Sequence, residues 1–146
     1  MFADFLKQLT APRPAPIKDA DARLALTALL VRIARTDGAY IQTEIDRIDT
    51  ITSLRYSLKA EAAAKLRQDA ETLESEAPDT IRFTRAIKDA VAYEDRLAVI
   101  ESLWQVVLAD GARVDEEDAL LRLVSSLLGI NDRDSALARQ RVSGGL

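Results

Sequence analysis

Apolar residues along this chain recur three or four positions apart, a spacing that predicts a succession of α-helices. Residues 19–36 are apolar on nearly every side, so this helix should be buried by its neighbours. A second helix is predicted for residues 42–56, and Ser57 is predicted to cap a third one. Pro78 and Asp79 end the third helix and can start the next.

The first 18 residues carry a separate short helix. Its apolar residues share one face and are Phe2, Phe5, Leu6 and Leu9. Three prolines, Pro12, Pro14 and Pro16, then form a stiff, extended linker. We expect residues 1–18 to be this amphipathic helix and linker, with the helix docked on the protein's own core or on a second subunit.

The later helices repeat the earlier ones at an offset of 73 residues. The identities are Arg23-Leu24-Ala25 with Arg96-Leu97-Ala98, Leu30 with Leu103, Asp37-Gly38-Ala39 with Asp110-Gly111-Ala112, and Glu44 with Glu117. Apolar character is kept at further matched positions through two helices, so chance is a poor explanation. We therefore predict a duplicated helix–loop–helix unit, with copies at about 20–56 and 93–129.

The fold expected from this repeat is an all-α, compact bundle of six to eight helices with pseudo-two-fold symmetry. Helices 19–36 and about 94–109 should form its centre, and Leu30 and Leu103 should be buried there.

The end of the chain should add one more helix. Gly129 is expected to end the second copy, and Asn131 to cap a helix at 132–141. The helical domain then spans 19–141, and residues 142–146 form a flexible tail.

The net charge and the absence of Cys and His limit the classes of function that the protein can have. The net charge of −4 argues against a nucleic-acid partner, because such proteins normally present a basic surface. The chain has neither Cys nor His, which excludes disulfides and thiol chemistry and makes zinc, copper and haem sites improbable. Any metal should be a hard, oxygen-seeking ion.

The cellular location is predicted from the absence of a signal-peptide pattern and of a transmembrane segment. The start, MFADFLKQLTAP, lacks the pattern of a signal peptide. The longest apolar stretch, Leu24 to Ala34, is interrupted by Thr27 and Arg32 and is too short for a transmembrane segment. We interpret the protein as cytoplasmic.

The two loops of the repeat, DGAYIQTE and DGARVDEE, are the candidate site. Each places an Asp at the end of a helix, where the helix dipole makes a lone carboxylate unfavourable by about 0.3–1 kcal/mol. An apolar residue, Ile41 or Val114, is expected to plug each loop into the core. A Glu then falls in the first turn of the next helix.

Two explanations of these loops stay open. In the first, Asp and Gly only form the turn and Glu favours the helix start. In the second, the acids bind a cation, and the candidate ligands are Asp37, Glu44, Asp110, Asp115 and Glu117. The Gly-to-Glu spacing matches half of an EF-hand loop, but the earlier EF-hand ligand positions are occupied by non-acidic residues. No cofactor is required, and Ca²⁺ or another hard divalent cation would bind weakly.

The segments LLVRIARTDGAYIQTEIDRI and VVLADGARVDEEDALLRLV resemble the TerB family, named for bacterial tellurite resistance. The resemblance covers roughly residues 20–130. It implies an all-α, internally duplicated fold and acidic loop residues proposed to bind divalent cations, which map to Asp37, Glu44, Asp110 and Glu117. The first loop departs from the acid-rich pattern at Gln42 and Thr43.

The expected function is a non-enzymatic, TerB-like binding or scaffold protein that a divalent cation modulates, associated with bacterial stress physiology. The alternative is a purely structural protein–protein interaction domain, such as a homodimer, without a metal site. We expect no catalytic residues, because neither a nucleophile with its base nor a cofactor motif is present.

Overall fold

A computed structural model describes residues 2–10, 19–36, 40–109 and 115–144 of the chain. At positions 19, 36, 106–109, 115–120 and 144 it describes the backbone alone. The first residues of both Asp-Gly loops, 37–39 and 110–114, lie outside the described residues.

The described residues form eight helices and no strand, which confirms the all-α prediction. The helices are α1 (Ala3–Leu9), α2 (Asp19–Thr36), α3 (Gln42–Tyr56), α4 (Ala60–Glu76), α5 (Thr80–Ala90), α6 (Tyr93–Ala109), α7 (Asp115–Leu127) and α8 (Asp132–Gly144). α8 extends beyond the predicted end at residue 141. Within the described ranges, no helix is both long and apolar enough to cross a membrane.

Helices α2 and α6 occupy the centre of the bundle. α2 packs mainly against α4 and α5, and α6 packs mainly against α8, while α3 contacts both α4 and α6. Leu30 on α2 and Leu103 on α6 are buried in one continuous hydrophobic core, as predicted. Trp104 belongs to the same core. The apolar character of the two central helices is therefore explained by burial on several sides.

Helix α1 docks on the protein's own core. Leu9 is 1% exposed, and Phe2, Phe5 and Leu6 pack partly buried against the core. The Phe2 N–H also donates to a Glu76 carboxylate oxygen at 3.1 Å. The sequence left open whether this helix docks on the protein's own core or on a second subunit, and in the structure it docks on the protein's own core.

Asn131 caps α8 as predicted, Asp79 also caps a helix, and the predicted cap at Ser57 is wrong. The side chains of Asp79 and Asn131 accept hydrogen bonds from the N–H groups of Arg82 and Asp134, at 3.2 and 2.7 Å, and so cap α5 and α8. Ser57 does not cap α4. It ends α3 in the left-handed conformation, with φ of 53°, and α4 begins three residues later.

The helix ends agree with the spacing of the sequence repeat. Thr36 and Ala109, which end α2 and α6, are 73 residues apart, and so are Gln42 and Asp115, which begin α3 and α7. Burial also agrees at matched positions, where both members of these pairs are buried: Leu26 and Val99, Leu30 and Leu103, Ile48 and Leu121, Ile51 and Val124. The superposition of the two units remains a prediction.

Candidate functional site

The five predicted cation ligands differ in how much of each residue the structure describes. Asp37 and Asp110 lie outside the described residues. Asp115 and Glu117 are in the first turn of α7, where the backbone alone is described. Glu44 lies in the first turn of α3 and is half-buried.

The described side chains do not by themselves form a metal site. Among them, no group of three or more Asp, Glu, His or Cys residues is arranged to hold an ion. Of the five candidate ligands, the side chain of Glu44 alone belongs to this described set. The cation site at the two loops therefore remains a prediction.

Glu44 lies at the edge of a cavity of about 240 Å³ between α2, α3, α6 and α7. Its described lining is mostly aliphatic and consists of Leu30, Ile33, Ala34, Ile41, Glu44, Arg47, Ile48, Ile51, Leu103 and Val124. Glu44 and Arg47 supply the charged groups. The first acidic loop thus leads into a helix whose inner face is apolar and whose first turns carry both signs of charge.

The prediction that Ile41 plugs the first loop into the core is wrong. The Ile41 side chain is 54% exposed. Ile41 is the residue immediately before α3 and has an extended backbone, with φ of −101° and ψ of 174°. Its side chain lines the cavity while remaining more than half exposed. Its counterpart Val114 lies outside the described residues.

Arginines already pair with the carboxylates on α3 and α4 near the first loop. Arg67 Nε donates to Asp49 at 2.8 Å and its Nη1 to Glu71 at 3.2 Å, while Arg32 Nε donates to Glu74 at 2.9 Å. A cation would have to compete with these guanidinium groups, so these carboxylates are poor additional ligands.

Tyr40, the first described residue of this loop, is uncharged. Its ring lies 5.0 Å from the Arg35 guanidinium carbon. Burial, together with the neighbouring Glu71 carboxylate, raises the pKa of Tyr40. Its hydroxyl is therefore protonated at neutral pH and adds no negative charge to the loop.

A second, smaller cavity was not predicted from the sequence. It measures about 160 Å³, and Ala22, Arg23, Leu26, Arg55, Tyr56 and Asp95 line it. Arg23 belongs to the sequence repeat, but nothing in the spacing indicates that it meets Tyr56 and Asp95. These residues come from three helices, so their proximity is a result of tertiary packing.

The described helices define an all-α protein, and acidic residues in the first turns of α3 and α7 mark its candidate loop site. The family model described as "Tellurite resistance protein TerB" matches residues 23–140. Because this match covers most of the chain, the protein belongs to the TerB family. Comparison with the curated proteins and with the solved structures gave no match.

Proposed function

We propose that the protein is a non-enzymatic binding module whose Asp-Gly loops take up a hard divalent cation weakly, and that it serves bacterial stress physiology. Membership of the TerB family over residues 23–140 carries this proposal, since the family is described by tellurite resistance. The role in stress rests on that family description alone.

The chemistry of the loops supports the cation. Each loop joins the end of one central helix to a helix whose first turn carries Glu, at Glu44 in α3 and Glu117 in α7. Carboxylate oxygens are the ligands that Ca²⁺ and Mg²⁺ prefer. A bound cation would also offset the unfavourable placement of Asp37 and Asp110 beside helix C-termini.

The contacts of Ser125 and Ser135 support a non-catalytic role for these two serines. Ser125 and Ser135 form a hydrogen bond of 3.4 Å, and the Trp104 indole N–H donates to Ser135 at 3.3 Å. These contacts cross-link α6, α7 and α8. A serine nucleophile would need a base positioned to take its proton, and here the hydroxyl partners are another hydroxyl and an indole.

Thermal unfolding with and without millimolar Ca²⁺ at fixed ionic strength tests the proposal. With a Kd on the order of 10⁻⁴–10⁻³ M, Ca²⁺ at about ten times Kd should stabilise the native state by roughly 1.4 kcal/mol. The double variant Asp110→Asn with Glu117→Gln should lose this gain and keep its fold. Asp37→Asn should matter less, because its loop has fewer acids.

A matched control is the double variant Glu61→Gln with Asp132→Asn, which changes charge equally in the first turns of α4 and α8. It should keep the Ca²⁺ response. If the wild type shows no shift, or if all variants shift alike, the cation proposal fails. The interaction-domain alternative then predicts a homodimer in analytical ultracentrifugation.

A further inference from the structure

The small cavity between α2, the end of α3 and the start of α6 has the composition of an anion site. We propose that it binds one oxyanion group, a phosphate or a carboxylate, through the guanidinium groups of Arg23 and Arg55 and the hydroxyl of Tyr56. This inference is independent of the Asp-Gly loops and goes beyond the proposed function.

Positive charge converges on this cavity. The guanidinium carbons of Arg23 and Arg55 lie 4.9 and 5.0 Å from the centre of the Tyr56 ring. Asp95 supplies the one carboxylate in the lining, and its Oδ1 accepts from Arg55 Nη2 at 3.3 Å. The described lining therefore keeps an excess of one positive charge, which a bound anion would neutralise.

Two donors of the cavity lining are buried without a hydrogen-bond partner among the described residues. They are the Tyr56 hydroxyl and Arg55 Nε. Buried polar groups are normally satisfied, so a pair of unsatisfied donors next to one cavity needs an explanation. Burial also raises the pKa of Tyr56 to about 12, which keeps the hydroxyl protonated and able to donate. Both atoms are sealed from solvent, so an oxyanion in the cavity would accept from them after a small movement of the surrounding side chains.

The matched arginine of the sequence repeat shows what Arg23 lacks. Arg96 donates through Nε to the carbonyl of Val91 at 3.1 Å and through Nη1 to the carbonyl of Leu128, so it caps the end of α7. Arg23 makes no side-chain hydrogen bond within the described part of the chain, and its recorded contact is with the Tyr56 ring. The same Arg-Leu-Ala motif thus has a structural role in one copy and free donors in the other.

The size and lining of the cavity define the ligand class. A guanidinium presents paired N–H donors that match carboxylate and phosphate oxygens. Ala22 and Leu26 form an apolar wall, so the polar contacts lie on one side. A volume of about 160 Å³ accommodates a single such group rather than a whole nucleotide. Asp95 competes for Arg55, so binding should be weak and should decrease with added salt.

Nuclear magnetic resonance titration of the full chain with inorganic phosphate tests the site, with chloride holding the ionic strength constant. A parallel titration with acetate distinguishes a phosphate from a carboxylate. We expect saturable shifts confined to residues around Arg23, Arg55 and Tyr56 with at least one of the two anions. Arg23→Gln should weaken binding at least about tenfold, and Tyr56→Phe several-fold.

Two further variants make the test specific. Asp95→Asn should tighten binding several-fold, because it removes the competing carboxylate, and a misfolded protein could not produce this gain. Arg139→Gln is the matched control, since Arg139 lies 5.7 Å from the Trp104 ring in another part of the bundle, and it should bind as the wild type does. The proposal is overturned if neither anion saturates, if Arg23→Gln binds normally, or if Arg139→Gln is equally impaired, which would indicate an adventitious ion only.

Discussion

At the scale of single residues, arginine connects helices that are distant in sequence. Arg32 on α2 reaches Glu74 on α4, Arg55 on α3 reaches Asp95 on α6, and Arg141 on α8 reaches Glu101 on α6. The planar guanidinium, with five N–H donors, suits such contacts better than an ammonium group does. The excess of Arg over Lys is visible in the sequence, whereas the partners are determined by packing.

The three tyrosines provide a residue-scale prediction. The pKa is raised in all three, by burial first at Tyr40 and Tyr56 and by the hydrogen bond to Asp134 first at Tyr93. Titration of the tyrosinate absorbance should therefore show all three tyrosines ionising above the ordinary pKa of 10.0 in the native protein, with Tyr56 ionising near 12. Unfolding in guanidinium chloride should return all three to about 10.

The same shift predicts how stability depends on pH. Above pH 10 an unfolded tyrosine ionises while native Tyr56 stays protonated, so the free energy of unfolding should fall as pH rises from 10 toward about 12. Tyr56→Phe should reduce this loss, as measured by urea unfolding at several alkaline pH values. A native Tyr56 that titrates at its ordinary pKa would contradict the burial described here.

At the scale of helices, periodicity and capping residues predicted most of the architecture. Asp79 and Asn131 cap α5 and α8 because an N-cap depends on residues only two or three positions away. Serine is a common N-cap residue, but Ser57 ends α3 instead of starting α4. Nothing in the neighbouring sequence distinguishes a serine that starts a helix from one that ends it. Ile41 is exposed for a similar reason, because the direction of its side chain depends on how α3 enters the bundle.

Of the two candidate sites, only the acidic loops are predictable from the sequence, because their Asp, Gly and Glu residues are close in sequence and are repeated. The cavity around Tyr56 is not predictable, because Arg23, Tyr56 and Asp95 meet only through the packing of three helices. A single sequence carries no record of that contact.

The element-scale prediction concerns the ion pair that joins α2 to the end of α4. The Arg32 and Glu74 side chains are only 15% and 8% exposed, and Arg32 also donates to the Pro78 carbonyl at 2.8 Å. Arg32→Ala should lower the free energy of unfolding by at most about 3–5 kcal/mol, because the buried Glu74 carboxylate loses its main partner and keeps only Arg35, at 3.5 Å. Chemical denaturation measures this loss.

Arg82→Ala is the control for this substitution, since Arg82 pairs with Asp79 on the surface, where both side chains are more than half exposed. Its cost should be about 0–1 kcal/mol. The double variant Arg32→Met with Glu74→Leu should recover part of the stability lost in Arg32→Ala. Equal costs for Arg32→Ala and Arg82→Ala would show that the buried pair does not hold α2 to α4.

At the scale of the whole molecule, the two predicted repeat units share one core. Buried residues of α2 and α3 belong to the same hydrophobic cluster as those of α6, α7 and α8, and α3 packs directly on α6. Neither unit buries its apolar faces alone. We therefore expect the bundle to unfold as one cooperative unit, even if its sequence arose by duplication.

The single tryptophan makes this cooperativity measurable. Trp104 lies on α6 and reports on the second unit, whereas Leu30 lies on α2 in the first. Leu30→Ala should cost roughly 2–5 kcal/mol, as should Leu103→Ala, because both enlarge the cavity between the central helices. In each variant the denaturation midpoint followed by Trp104 fluorescence should coincide with that followed by far-ultraviolet circular dichroism.

Leu54→Ala, at a position 50% exposed, is the matched control and should cost less than about 1 kcal/mol. If Leu30→Ala shifts the dichroism but leaves the Trp104 transition in place, the two units fold independently, and a core common to both is ruled out as the source of stability.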